Sequence, residues 1–195
     1  MSTESAPTVD FRTYYDLDTY LSGTISLRFA AEHTLTAFDF FCIVIWKANR
    51  AKTKVAKRLL AHGKYPDLDS AVHALLTAVA AAPSPKDRLR VFMRDWGFRL
   101  PMASAILTVL YPNDFTVYDI RVCDMLSDFH SLANKIQFES IWAGYERYVT
   151  AVREKAPAEL SLRDKDRWLW GKSFVKQLTE DIASMFTRPE TDDES

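Results

Sequence analysis

The sequence predicts an all-α protein. Apolar residues recur at helical spacing, turn signals separate the periodic stretches, and neither βα alternation nor an internal repeat is present. "GTISLRF" (23–29) is the only plausible strand, and one strand cannot make a sheet. At 195 residues, with 48% apolar and 13% aromatic, the chain is long enough to bury a real core. The first eight residues and the last eight, "RPETDDES", are polar, proline-bearing and without apolar period. They are expected as a flexible tail and an acidic tail around a single helical domain over 9–187.

"AFDFFCIVIWKANRAKTKVAKRLLAHG" begins apolar on all sides and then becomes two-faced, with a break expected near Ala48 and Asn49. Gly63 and Pro66 stop it. "DLDSAVHALLTAVAAA" is the next helix, with Asp69 or Ser70 placed to cap its start. "PSP" separates this from "KDRLRVFMRDWG", and "MASAILTVL" reads as a short buried helix whose Pro101 suits an N-terminal position. "YPNDF" is a turn. Helices over "DIRVCDMLSDF", "FESIWAGYERYVTAVREKA" and the long "SLRDKDRWLWGKSFVKQLTEDIASMF" complete the chain.

A formal charge of −1 gives no overall attraction to an acidic polymer, but the distribution is uneven. Lys47, Arg50, Lys52, Lys54, Lys57, Arg58 and Lys64 form one block without an acid among them. Cys42 and Cys123 stand at no metal-binding or redox spacing, and the four histidines are scattered, so neither a metal nor a cluster is expected. The longest apolar run, "FDFFCIVIW", is far short of the roughly 20 residues of a membrane helix. Nothing at the N-terminus reads as a secretory signal, so a cytoplasmic protein is expected.

One segment carries chemistry. "GFRLPMASAIL" (97–107) combines a tight turn with a helix start, and "VYDIRV" then places one acid, Asp119, between apolar neighbours. A short helix, a glycine-led hairpin, a helix of small and apolar residues, a proline-bearing loop and an aspartate at the next helix start resemble the helix-hairpin-helix, Gly/Pro-loop, aspartate family of DNA glycosylases. The similarity spans roughly residues 35 to 180, with its specific part at 97–122. Gly97 falls on the family's first hairpin glycine, Arg99 on its second, Pro101 on the lysine of strand-cutting members, and Asp119 on the catalytic aspartate.

The resemblance implies a two-lobed helical fold with a cleft between lobes, a hairpin over 86–110 and a catalytic loop over 111–122. It implies a monomer that acts on double-stranded DNA without a cofactor, nucleoid-associated if bacterial. Such an enzyme flips a damaged or modified base out of the duplex and breaks its bond to the sugar. Asp119 would stabilise the positive charge that grows on the sugar. Trp46, Tyr118, Trp168 and Trp170 are candidate stacking surfaces, and Lys47 and Lys172 candidate readers of a base edge. Asn49, Arg50, Lys54, Lys57, Gly97, Arg99 and Arg121 are the candidate DNA contacts. Proline at 101 has no amine for a Schiff base, so base removal without strand cutting is implied, in base excision repair or in defence against modified foreign DNA.

Each of these residues also has a plainer reading. An aspartate before an apolar helix is ordinarily an N-cap, a basic stripe a solvated face, and a tryptophan part of a core. A non-catalytic DNA-binding module on the same fold is therefore the alternative, and an unrelated helical scaffold stands third.

Overall fold

A computed structural model describes residues 10–63 and 65–187, and every regular element among them is helical. The expected tails and Lys64 lie outside the described residues. A 3₁₀ turn, Phe11–Tyr14, leads into α1 (Leu17–Tyr20), which continues through a π turn, Leu21–Ile25, into α2 (Ser26–Glu32). Residues 23–29, the one stretch plausible as a strand, are thus helix. Leu21, Ile25 and Phe29, four residues apart, are all buried, whereas Leu27, which strand alternation would bury, is 65% exposed.

The break after Ala48 is present. Helix α3 (Ala37–Ala48) ends in a 3₁₀ turn, Asn49–Ala51, and α4 (Lys52–His62) follows. Next comes α5 (Leu68–Ala81), capped not by Asp69 or Ser70 but by Asp67, whose carboxylate accepts from Ser70 N–H at 2.7 Å. Asp69 instead reaches across to accept from Ala37 N–H at 2.7 Å, tying the start of α5 to the first turn of α3. Helix α6 (Pro85–Arg90), capped by Ser84, runs through a second π turn, Val91–Asp95, to the hairpin.

The remaining helices are α7 (Leu100–Leu110), α8 (Ile120–Leu126), α9 (Phe138–Lys155) and α10 (Leu162–Ala183). Every residue of α7 from Ala103 to Leu110 is buried, and α3 and α2 pack on it. Its alanines and Ser104 permit this close approach on several sides. One hydrophobic cluster joins Tyr20 at the N-terminal end to Leu169 in α10, so the first and last helices share a core with the middle of the chain.

Candidate active site

The site is built on a stretch that has no regular structure. Phe115, Thr116, Val117 and Tyr118 are buried between α7 and α8, where backbone groups must find partners other than water. Three hydroxyls supply them. Tyr145 donates to Thr116 C=O at 2.5 Å and accepts from Thr116 N–H at 3.1 Å, Tyr148 donates to Val117 C=O at 2.8 Å, and Ser104 accepts from Tyr118 N–H at 2.9 Å. Helices α7 and α9 thereby fix the backbone on which Asp119 stands.

Asp119 is the N-cap of α8 and accepts from Arg121 N–H at 3.1 Å through Oδ1. The capping reading is therefore right as far as it goes. Its other oxygen, Oδ2, takes Lys47 Nζ at 2.6 Å, and the two side chains are 15% and 20% exposed respectively for Lys47 and Asp119. Lys47 comes from the last turn of α3, next to the break at Ala48.

Both residues line a cavity of about 400 Å³, within the range of small-molecule sites, about 300–1,000 Å³. Asp18 of α1, Trp46 and Lys47 of α3, Val117 and Asp119 of the loop, and Arg163, Asp166, Arg167 and Trp170 of α10 form its walls. Each tryptophan has a guanidinium over its ring: Arg163 lies 4.9 Å from the centroid of Trp46, and Arg121 lies 5.3 Å from that of Trp170. Trp170 also stacks on Phe174 with centroids 5.8 Å apart.

An ion-pair network closes one end. Asp18 receives Arg163 and Arg167, each at 2.6 Å, Arg163 also binds Asp166 at 2.5 Å, and Arg167 binds Asp164 at 2.9 Å. Asp166 is 4% exposed, and burial pushes its carboxyl up to about 6; nearby Arg163 and Lys47 pull the other way, and the Asp119 charge adds to the rise.

Of the residues singled out in the sequence, Asp119, Lys47, Trp46 and Trp170 meet in this cavity. Tyr118 does not: it is 5% exposed, and its hydroxyl donates to Phe129 C=O at 2.8 Å, making it a core residue that anchors the next loop. Trp168 and Lys172 form a pair of their own on an exposed face of α10, with the ammonium 4.8 Å from the ring, because their positions turn them away from Arg163, Asp166 and Trp170. Arg121 is turned to Gln177 and Trp170, at the cavity's edge. Asp18, Arg163, Asp166 and Arg167 were not anticipated. Their signal in α10 is the spacing 163, 166, 167, 170, a polar and aromatic stripe on one helix face.

The hairpin and the basic helix are neighbours. Gly97 adopts φ +68°, a conformation that favours glycine, between the π turn and α7. Arg99 is the N-cap of α7 with no side-chain cap bond, and Pro101 sits in the first turn, as expected. Arg58 of α4 lies over the Phe98 ring at 5.6 Å and beside Gly97, joining α4 to the hairpin. Asn49 stands exposed at the turn and accepts from Lys52 Nζ at 2.8 Å, and Lys54 and Lys57 are exposed on α4. Arg50, in the same turn, is exposed as well.

Among the described residues no helix is long and apolar enough to cross a membrane. Comparison with protein-family models, curated proteins and solved structures finds no match for this chain.

Proposed function

We propose that this protein is a monofunctional DNA glycosylase of the helix-hairpin-helix, Gly/Pro-loop, aspartate type, hydrolysing the bond between a flipped-out base and its sugar and leaving an abasic site. The observation that carries this is Asp119, anchored by Lys47 and a helix N-terminus at the wall of a cavity with tryptophans on two of its elements. A planar base needs such apolar faces, and the sugar, whose C1′ turns cationic as the bond breaks, needs a fixed carboxylate. Water held by the same carboxylate gives up its proton as it attacks.

The surface beside the cavity suits the second requirement, a grip on the duplex. Beyond Lys47 in the cavity, α4 carries exposed Lys54 and Lys57, and its Arg58 meets Gly97 at the turn before α7. In the two-lobed arrangement of this reading, the cleft lies between the lobe carrying the hairpin and the one closed by α1 and α10. Asn49, at the turn between the cavity and the basic helix, is placed to wedge into the stack.

A non-catalytic DNA-binding module is the second reading, favoured by the cap and ion pair of Asp119, which account for its position without chemistry. One experiment separates the two. Purified protein is incubated with duplexes bearing a panel of damaged and modified bases and then treated with alkali; strand breaks that appear only after alkali identify a glycosylase. Binding without breaks on every duplex leaves the module.

A further inference from the structure

We propose that Asp166 is the proton donor to the departing base, a second catalytic carboxyl working opposite Asp119. This rests on the glycosylase reading and extends it from the sugar to the leaving group. The geometry sets the two carboxyls apart. Asp119 is held by two donors, Lys47 Nζ and Arg121 N–H, whereas Asp166 has only Arg163 Nη1 on Oδ2, and no protein donor reaches its Oδ1 among the described residues. Asp166 is nine-tenths buried yet lines the cavity, which puts its carboxyl at the wall of the space where a base would sit.

The groups that face Asp166 come from several elements: Lys47 from α3, Asp119 before α8, Tyr145 and Tyr148 from α9, and Arg163 on its own helix, which it shares with Asp18 of α1. Burial outweighs the cations among them and raises the carboxyl to about 6, so Asp166 keeps a population of the acid form near neutrality. A buried carboxyl raised by its surroundings, sharing a cavity with a carboxylate fixed by a lysine and a backbone N–H, divides the acid and base roles between two residues.

The step balances. As the C1′–N bond breaks, its electron pair goes to the base nitrogen, and the Oδ1–H proton of Asp166 passes to a ring nitrogen or carbonyl oxygen of the base. Asp166 is left as a carboxylate, already paired with Arg163. Water adds to C1′ and its proton goes to the Asp119 carboxylate, from which it returns to solvent as Asp166 is reprotonated. One water is consumed, and no oxidant, reductant or metal is needed. Only a base that is neutral before cleavage calls for this proton; a base already cationic leaves as a neutral molecule.

That distinction is the test. Two duplexes, one bearing a single hypoxanthine and one a single N7-methylguanine, are used in single-turnover base release between pH 5 and 8. Wild-type release of hypoxanthine is expected to fall as pH rises past about 6, and Asp166→Asn to remove this fall while slowing the reaction about 100-fold. The loss on N7-methylguanine is expected to be at least roughly thirtyfold smaller than on hypoxanthine, since its cleavage omits the acid. Asp166→Glu should restore the fall with pH, and serves alone if the Asn variant does not fold. Equal losses on both duplexes, a wild-type profile without the fall, or a wild type that releases only N7-methylguanine overturns the role of Asp166 and leaves the glycosylase reading standing. A wild type that releases neither base from these duplexes, nor any from the wider panel, overturns that reading and Asp166 with it.

Discussion

Lys47 Nζ lies 2.6 Å from Asp119 Oδ2, a bond that spans 72 residues of sequence and joins the last turn of α3 to the N-cap of α8. Each partner is unremarkable alone: a lysine at a helix end and an aspartate before a helix. Together they hold a carboxylate, with a cation beside it, at the wall of an aromatic-lined cavity.

Asp119→Asn tests what that carboxylate does. An amide oxygen still accepts from Arg121 N–H, so the cap survives, and the expected stability loss is about 1 kcal/mol, a melting shift of roughly 2–4 °C. Base release is expected to fall by about 100-fold or more, because the amide carries no charge to meet the oxocarbenium ion. Duplex affinity should stay near the wild-type value. A variant that unfolds, with no specific loss of release, leaves capping as the whole role of Asp119.

The duplex grip is tested by salt. Neutralising phosphates releases counterions, so affinity for an unmodified duplex should fall steeply as salt rises, and Lys54→Ala and Lys57→Ala should each reduce the log–log slope by about one unit. Fluorescence anisotropy across a salt series measures this directly. A flat response in the wild type removes DNA from the account, whatever the cavity does.

The residues that sequence reasoning found and those it missed differ in kind. Periodicity and turn chemistry were enough for α3 to α10, and for the break at Ala48, because each of those helices announces its own face and its own stop. Residues 23–29 misled because Ile25, Leu27 and Phe29 alternate; the competing period, Leu21–Ile25–Phe29, is visible only when the window is widened upstream. At the site, Asp119 and Lys47 were legible from motif and charge. Tyr118 looked like an equal candidate, but only the fold shows its hydroxyl spent on the Phe129 carbonyl. Asp166 was illegible for the opposite reason. In "SLRDKDRW" it is one charge among five, and the groups around it, Lys47, Asp119 and the α9 tyrosines, lie elsewhere in sequence.

Burial of Asp166 also has a consequence for stability. Its carboxyl is raised from 3.8 to about 6, so between these values the folded protein holds a proton that the unfolded chain releases. Folding is then favoured on the acid side, and this group's contribution declines as pH rises through the window and stays lost above it. Asp166→Asn cannot titrate. Its stability relative to wild type should therefore increase between pH 4 and pH 7 by on the order of 3 kcal/mol. Urea unfolding of both proteins at several pH values gives the difference, and a difference independent of pH shows that Asp166 is ionised throughout.

The last prediction separates base removal from strand cutting. A lyase attacks C1′ with an amine and passes through an imine that borohydride reduces to a stable adduct. Under the proposed reading Pro101, in the first turn of α7, falls on the hairpin position that supplies this amine in strand-cutting members of the resembled family, and it has none to offer. Lys47 is the amine that does line the cavity, but its Nζ is engaged by Asp119 at 2.6 Å. The expected result is an abasic product with its backbone intact, alkali needed to break the strand, and no adduct after borohydride. An adduct that forms with the wild type and disappears in Lys47→Ala would make Lys47 the nucleophile. Asp119 would then be the group that takes a proton from that amine before attack, and the same cavity would carry out a bifunctional reaction.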